Sequence, residues 1–226
     1  MSRLVKRPFN FQRPQQAKVG RWYEIKNVSA DTVSIAIYDE IGFWGITASD
    51  FVNELKSVDA KNISLSINSP GGDVFDGLAI LNSLRQHPAA VNVTIDGVAA
   101  SAASFIAMAG DTVRIAPQAM MMIHDASGLV VGNAQDMQEM GALLDKTSDN
   151  IAAVYAQRAG GTQEDWRAAM KAETWYTDQE AVDAGLADEI LSDEAKPKAK
   201  AEPVINQAKE PFLGFDVLSA VKEALK

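Results

Sequence analysis

The residues most suited to chemistry in this chain are a serine set among small residues and a histidine that ends a short apolar run. Ser101 lies in the segment Gly97-Val98-Ala99-Ala100-Ser101-Ala102-Ala103-Ser104, and His124 ends the segment Met122-Ile123-His124. Upstream, Asn68-Ser69-Pro70-Gly71-Gly72-Asp73 predicts a turn whose backbone N–H groups can face an anion. A nucleophile, a base and oxyanion donors are the minimum parts of a serine acyl-transfer enzyme.

Each of these features also has a purely structural explanation. A serine between alanines is common at the start of a tightly packed helix, and a histidine at a strand end is more often a satisfied polar residue than a base. The other histidine, His87, precedes Pro88 at a predicted helix end, where a surface role beside the helix dipole explains it. The glycines equally fit a strand-to-helix turn that needs positive φ. The elbow of the α/β-hydrolases does not match, because Ala103 stands where its second glycine belongs.

The predicted position of Ser101 favours the chemical interpretation. Ser101 would begin an apolar helix directly after a strand, so its hydroxyl lies near the positive end of the helix dipole. The N–H of Ala102 would point out of the first turn, where no helical acceptor exists. Both arrangements favour a developing oxyanion. Ser104 would lie on the buried side of the same helix and is predicted to be structural.

A third residue should orient the histidine, and the sequence offers several acids without ranking them. All four lie within range of the histidine along the chain: Asp125, Asp165, Glu173 and Asp178.

Strands and helices are predicted to alternate through the middle of the chain. The predicted strands are 32–38, 62–67, 91–95, 113–116 and 120–123. The predicted helices are one capped by Thr47, one from Val74 to before Pro88, 101–109, 133–159 with Asn133 as its cap, one beginning at Thr162, and 180–184. This alternation predicts an α/β fold with a mostly parallel sheet covered by helices.

The composition is that of a globular protein and excludes several functional classes. The chain has 226 residues, 47% of them hydrophobic, no cysteine and a net charge of −9. The missing cysteines exclude a disulfide framework and a thiolate metal site, and are compatible with a cytoplasmic location. The negative charge argues against nucleic acid as the main partner. No apolar run reaches membrane-spanning length and no signal pattern is present, so we expect neither membrane insertion nor secretion.

Changes in composition predict a folded domain between two tails. Residues 1–21 form a basic arm, which is either a flexible tail or a docking arm for an acidic partner. Residues 22–192 form the folded domain. Residues 193–210 are predicted to be a disordered linker, and residues 211–226 a short amphipathic helix that either packs on its own domain or docks a partner.

Four motifs together resemble the Clp peptidase family, in order and at the family's spacing. They are Asn68-Ser69-Pro70-Gly71-Gly72, Gly97-x-Ala99-Ala100-Ser101, Met122-Ile123-His124, and Glu180-Ala181-Val182-x-x-Gly185-Leu186-x-Asp188. The likeness extends from about Asp31 to Ile190. Each motif alone has modest specificity, whereas four in register are strong evidence.

The resemblance implies a crotonase-like α/β fold with repeated ββα units, and a serine endopeptidase that needs no cofactor or metal. Ser101 matches the nucleophile, His124 the base, and the N–H groups of Gly72 and Ala102 the oxyanion donors. The family's acid falls on Glu173, because Glu173-Thr174-Trp175-Tyr176 takes the place of an Asp-Arg-Phe-Leu segment.

The resemblance also implies how the protein binds substrate and assembles. The helix 133–159 matches the protruding handle helix of the family, which joins two rings of subunits, so we expect a ring-shaped homo-oligomer. A polypeptide substrate is expected to bind as an added strand beside the Pro-Gly-Gly turn. The residues predicted to bind it are Gly71, Asp73, Val74, Asp125 and Ser127.

The ends of the chain resemble one branch of this family, the head-maturation proteases of tailed phages and prophages. The likeness lies in the segment from Tyr38 to Gly45, in Glu173-Thr174-Trp175-Tyr176-Thr177 and in the basic arm. It implies cleavage of scaffold and capsid protein inside an assembling shell, without an ATP-driven unfoldase. Three alternatives remain: a degradative Clp-type subunit served by a separate unfoldase, a crotonase-fold CoA lyase or isomerase, and a catalytically silent assembly protein.

Overall fold

A single sheet with helices packed against it forms the part of the chain that the computed structural model describes, residues 23–42 and 47–192. The strands are β1 (Tyr23–Asn27), β2 (Thr32–Tyr38), β3 (Asn62–Ser69), β4 (Ala90–Ala100), β5 (Thr112–Ile115), β6 (Met120–Ile123), β7 (Thr174–Tyr176) and β8 (Glu189–Ile190). The helices are α1 (Ala48–Lys56), α2 (Val74–Gln86), α3 (Ala102–Ala107), α4 (Ala134–Ala159), α5 (Gln163–Lys171) and α6 (Asp178–Asp183). The predicted basic arm, linker and terminal helix lie outside the described residues.

The sheet is mixed but mostly parallel, which confirms the predicted fold class and is consistent with the crotonase-like fold. Its strand order is β1-β2-β3-β4-β5-β8, and β6 pairs with both β4 and β7. Neighbours from β2 to β8 along this order are parallel, whereas β1 and β7 are antiparallel to their partners. Parallel neighbours need crossover connections, which α1 and α2 provide between β2, β3 and β4.

Strand β4 is longer than predicted because it has two successive partners. Its first half pairs with β5 from Asn92 to Ile95, and its end pairs with β6 from Val98 to Ala100. The predicted strand 91–95 therefore continues to Ala100, and the predicted helix 101–109 is shorter, at Ala102–Ala107. The last predicted helix, 180–184, instead begins after the cap Thr177.

The alternation that predicted β2 and β3 corresponds to one buried and one more polar face of the sheet. Val33, Ile35 and Ile37 of β2 are buried, while Ser34 and Ala36 between them are half-buried. The buried side chains of α1, α2 and α3 belong to the same apolar cluster as those of the strands. They are Ala48, Phe51, Leu55, Ile80, Leu81, Leu84, Ala102, Ala103, Phe105, Ile106 and Ala107.

Helix α4 is packed along only part of its length. Its buried residues, Thr147, Ser148, Ile151, Ala152 and Tyr155, all lie in the second half. The first half leaves large apolar side chains exposed, as a protruding handle helix requires. Within residues 23–42 and 47–192, no helix is long and apolar enough to span a membrane.

Candidate active site

Ser101 lies at the sharp turn between β4 and α3, in a backbone conformation that serine rarely adopts. Its φ is 52° and its ψ is −122°. Its N–H donates to the carbonyl of Met122 at 2.9 Å, and its own carbonyl accepts from the N–H and the Oγ of Ser104, at 3.0 and 2.6 Å. The turn is therefore held from both sides. Strained backbone of this kind is concentrated at functional sites.

His124 lies within hydrogen-bond distance of this serine. The Nε2 of His124 is 2.7 Å from the Oγ of Ser101, and both side chains are half-buried. The two residues meet because β4 and β6 are parallel with Ala100 paired to Met122, so the residues that follow these strands emerge at the same edge. A neutral imidazole at this distance can take the hydroxyl proton.

The backbone of the Pro-Gly-Gly turn packs closely against Ser101 and Ala102. A Cβ atom added at Gly71 would lie 2.7 Å from the amide nitrogen of Ala102 and 2.8 Å from the Cβ of Ser101. At Gly72, with φ of 153°, a Cβ would lie 2.1 Å from the carbonyl oxygen of Ile41. Both positions therefore exclude any other residue without a shift of backbone.

The amides of Gly72 and Ala102 are available to an anion. Ile41 N–H donates to the carbonyl of Gly71 at 2.7 Å, and the carbonyl of Ile41 accepts from the N–H of Asp73 at 3.0 Å. These bonds engage the carbonyl of Gly71 and the N–H of Asp73, which lie on either side of Gly72 in the chain. Neither the N–H of Gly72 nor that of Ala102, the first residue of α3, has an acceptor in the described part of the chain.

The four acids left unranked by the sequence are separated by their contacts. Asp125 pairs with Arg167, Asp165 accepts from Thr162, and Asp178 accepts from the N–H of Gln118. The carboxylate of Glu173 has no hydrogen-bond partner among residues 23–42 and 47–192.

Continuing the strand register by one residue would also place Glu173 opposite the histidine. β6 and β7 pair Met122 with Trp175 and Ile123 with Thr174, so the next pair in this register is His124 with Glu173. Glu173 is exposed and has a positive φ of 50°. Since the Nδ1 of His124 has no acceptor among the described residues, the role of Glu173 stays a prediction.

The predicted substrate-binding residues have different environments. Gly71 is buried in the turn, Val74 is half-buried and Ser127 is exposed. The carboxylate of Asp73 caps α2 by accepting from the N–H groups of Phe75 and Asp76, at 2.9 and 3.0 Å. That of Asp125 is engaged by Arg167. The substrate roles of all five stay predictions.

Two residues near the site were not singled out in the sequence. Tyr155 of α4 lies 2.7 Å from the Oγ of Ser104, which in turn bonds Ser101; burial raises the pKa of Tyr155, so it is a neutral hydroxyl. Arg167 of α5 holds Asp125, next to His124. Helical periodicity places Tyr155 on a buried face, but no local signal in the sequence reveals either partner.

The described residues include no cluster of histidine, aspartate and glutamate side chains that could hold a metal ion.

A cavity of about 330 Å³ lies between α4 and α5. It is lined by Asp149, Gln163, Glu164, Arg167, Ala168 and Lys171. None of these six is a predicted site residue.

The comparisons with known proteins all point to the same family. A sequence model described as Clp protease matches residues 15–194. A protein of Bacteroides fragilis named ATP-dependent Clp protease proteolytic subunit is 31% identical over 172 residues, which is 71% of this chain and 83% of the relative. A protein of the same name from Deinococcus radiodurans is 32% identical over 174 residues, 72% and 85% of the two chains. The proteolytic subunit 1 of Protochlamydia amoebophila is 30% identical over 154 residues, 65% and 75% of the two chains.

Proposed function

The chain belongs to the Clp protease family and is a serine peptidase, and we propose that Ser101 is its nucleophile and His124 its general base. The observation that carries this assignment is the 2.7 Å contact between the Oγ of Ser101 and the Nε2 of His124. The strained turn at Ser101 and the two free amides beside it support the same assignment.

The proposed reaction passes through an acyl-enzyme. As the Oγ of Ser101 attacks the peptide carbonyl, its proton passes to the Nε2 of neutral His124. The N–H groups of Gly72 and Ala102 stabilise the oxyanion of the tetrahedral intermediate. His124 then protonates the leaving amine, takes a proton from the water that attacks the ester, and returns that proton to the Oγ of Ser101 as the acid product leaves.

We propose that the substrate is an extended polypeptide that adds a strand beside the segment Gly72-Asp73-Val74. Backbone pairing gives affinity without a strict sequence requirement, which suits a peptidase that accepts many chains. The capping bonds from Asp73 to the first turn of α2 hold this segment in place. They also consume one oxygen of Asp73, so the backbone of this segment makes the main contacts.

The preferred biological role is that of a degradative Clp-type subunit served by a separate ATPase. Three relatives with 30 to 32% identity are named as ATP-dependent proteolytic subunits, and this chain contains no nucleotide-binding motif of its own. A ring-shaped homo-oligomer that encloses the active sites is part of this proposal. So is a cytoplasmic location, with which the absence of cysteine is compatible.

A second candidate is the processing of phage scaffold and capsid protein during head maturation. It is favoured by the likeness of the segments 38–45 and 173–177, and of the basic arm, to the head-maturation branch. The two candidates differ in one requirement, because only the degradative role depends on an unfoldase.

Active-site labelling tests the assignment of the nucleophile. A fluorophosphonate probe is expected to label wild-type protein at Ser101, as read by peptide mass spectrometry, because a hydroxyl activated by a base attacks it. Ser101→Ala and His124→Gln should each lower the rate of peptide hydrolysis by at least about 10⁴-fold. Ser83→Ala, on α2, is a matched control that should behave as wild type. A Ser101→Ala protein that cleaves as fast as wild type would overturn the assignment.

Substrate assays separate the two biological roles. If the protein is a degradative subunit, folded substrates should be degraded only when a Clp-type ATPase and ATP are added, whereas short peptides should be cleaved without them. Cleavage of scaffold or capsid protein at a few sites, with no ATPase present, would favour head maturation instead. A CoA lyase or isomerase has no reason to react with the fluorophosphonate, and a silent assembly protein would cleave neither substrate.

A further inference from the structure

One arginine joins three acidic residues directly behind the predicted catalytic histidine. The Nε and Nη2 of Arg167, on α5, form a two-pronged pair with the carboxylate of Asp125, at 2.8 and 3.0 Å. The same guanidinium bonds the carboxylates of Asp145 and Asp149 on α4. The side chain of Arg167 is only 12% exposed and that of Asp125 only 31%, so their contact is shielded from water more than a surface ion pair is.

Asp125 is the most sheltered of the three acidic residues. Its side chain is 31% exposed, against 51% for Asp149 and 74% for Asp145. Hydrogen bonds to Asp125 are the largest cause that raises the pKa of Arg167, so the guanidinium stays charged. Because the planar guanidinium bonds both oxygens of the carboxylate, it also fixes the relative orientation of the two side chains, which a lysine cannot do. The pair with Asp125 is therefore the strongest and most directional link in the cluster.

The segment after His124 is anchored at two successive residues. Asp125 is held by Arg167, and the N–H of Ala126 donates to the Oγ of Ser148 on α4 at 2.9 Å. The imidazole itself has one hydrogen bond in the described part of the chain, from Nε2 to Ser101. The position of the ring therefore depends on the backbone that carries it, and that backbone is tied down through the side chains of neighbouring helices.

We propose that Arg167 is a positioning residue for the reaction. Acting through Asp125, it holds the backbone after β6 against α4 and α5, and so keeps the imidazole of His124 within reach of the Ser101 hydroxyl. This inference rests on the proposed roles of Ser101 and His124. It adds a residue from α5, a helix that contributes no reacting group, to the machinery of the site.

Conservative variants test this inference without removing bulk. Arg167→Gln and Asp125→Asn each break the two-pronged pair, and both should lower kcat and the rate of Ser101 labelling by about 10- to 100-fold, because small displacements of a base are costly. For Arg167→Gln, KM on a short fluorogenic peptide should change by less than about twofold, since the guanidinium is not among the groups predicted to bind substrate. The KM of Asp125→Asn is not part of this test, because Asp125 is itself a predicted substrate-binding residue. Arg167→Lys, which keeps the charge but not the fork, should retain an intermediate rate.

A double variant and a matched control separate positioning from general stability. Because Arg167 acts through Asp125, the double variant R167Q/D125N should be no slower than either single variant. Asp145→Asn removes a more exposed contact to the same guanidinium and should stay within about twofold of wild type. All rates are measured on oligomers that circular dichroism shows to be folded; if R167Q does not fold, R167K and D125N carry the comparison.

The outcomes distinguish this inference from the assignment on which it rests. Wild type is expected to be labelled at Ser101. If R167Q, or R167K in its place, is then labelled as fast as wild type but melts at a lower temperature, Arg167 is structural only and the inference is wrong. An equal loss in D145N contradicts it too, because the effect would not pass through Asp125. If wild type is not labelled at all, the proposed function fails first and the inference fails with it.

Discussion

Ser101 occupies a backbone conformation that costs about 1 to 3 kcal/mol for a residue other than glycine. The cost is offset by the bonds from Ser101 N–H to Met122 and from Ser104 to the Ser101 carbonyl. Ser104 is completely buried and is itself 2.7 Å from the hydroxyl of Tyr155. The proposed nucleophile is therefore positioned by a short series of buried hydrogen bonds that begins on α4.

These hydrogen bonds predict which of two substitutions, each of which removes one oxygen atom, lowers the stability of the protein more. Ser104→Ala removes the bond to Ser101 and leaves the Tyr155 hydroxyl buried without that partner, which should cost about 1 to 3 kcal/mol in the free energy of unfolding. Tyr155→Phe leaves Ser104 bonded to Ser101 and should cost about 1 kcal/mol. Urea unfolding measures both. Equal losses, or a larger loss for Tyr155→Phe, would show that the bond from Ser104 to Ser101 contributes little.

Glu173 directly precedes β7, and continuing the register of β6 and β7 by one residue would place it opposite His124. If it orients the imidazole, Glu173→Gln should lower kcat by about 10²- to 10⁴-fold, because the correct tautomer loses its charged partner. Glu164→Gln, an equally exposed change on α5, is the matched control and should retain wild-type kcat. Peptide hydrolysis by both variants decides the matter; identical rates would exclude Glu173 from the triad.

At the scale of elements, the pairing of β4 accounts for the site. The strand changes partner from β5 to β6 partway along its length, and its end delivers Ser101 beside the residue that follows β6. The end of β3 supplies the Pro-Gly-Gly turn on the other side, with a register shift between Ile67 and Ser69. Three loops from neighbouring strands thus meet at one edge of the sheet.

The bond from Tyr38 to Asp96 connects the end of β2 to an inner residue of β4, across β3, and predicts a pH dependence. The hydrogen bond to Asp96, helped by partial burial, raises the pKa of Tyr38 from 10.0 to about 12. The stabilisation that the neutral phenol provides is complete below pH 10.0 and is lost as the pH rises through about 12. Tyr38→Phe cannot titrate, so wild type should exceed it in stability by more at pH 8 than at pH 11.

Urea unfolding of wild type and Tyr38→Phe at the two pH values tests this sign. Because both proteins share every other titrating group, their difference isolates Tyr38. A difference that is unchanged or larger at pH 11 would contradict the proposed bond to Asp96.

At the scale of the whole molecule, the first half of α4 is the surface that a larger assembly would cover. Met137 and Leu143 there are 52% and 47% exposed, and Leu129 and Val131 before the helix are exposed as well. Large apolar side chains exposed in one segment are more frequent at interfaces than on free surface. The arrangement suits the handle helix that the family resemblance predicts.

Assembly should therefore depend on these side chains. The double variant Met137→Glu/Leu143→Glu should shift the native mass toward smaller species, because two charges would be buried between subunits. Ala153→Glu, at an exposed position in the packed half of α4, adds a similar charge and should leave the native mass unchanged. If the double variant keeps the wild-type mass, the first half of α4 does not join subunits.

Much of this fold could be predicted from short stretches of sequence, because the interactions that form helices and strands are local. Thr47 and Asn133 form the caps predicted for them, and Thr162 caps the helix predicted to begin there, each with an acid three residues later. Alternation identified β2 and β3. The short strands β1, β7 and β8 gave no such signal. Periodicity needs several residues to be visible, and these strands exist because a neighbouring strand pairs with them.

The candidate site depended on contacts between residues that are distant in sequence. The sequence shows the types and the order of Ser101, His124 and the two glycines. It does not show the 2.7 Å contact that joins the serine to the histidine. The partners of Tyr155 and Arg167 were equally invisible, and the residues alone did not rank the candidate acids, so that Glu173 was named only through the family resemblance. Such contacts follow from strand register and helix packing, which result from the burial of the entire apolar cluster rather than from any local pattern.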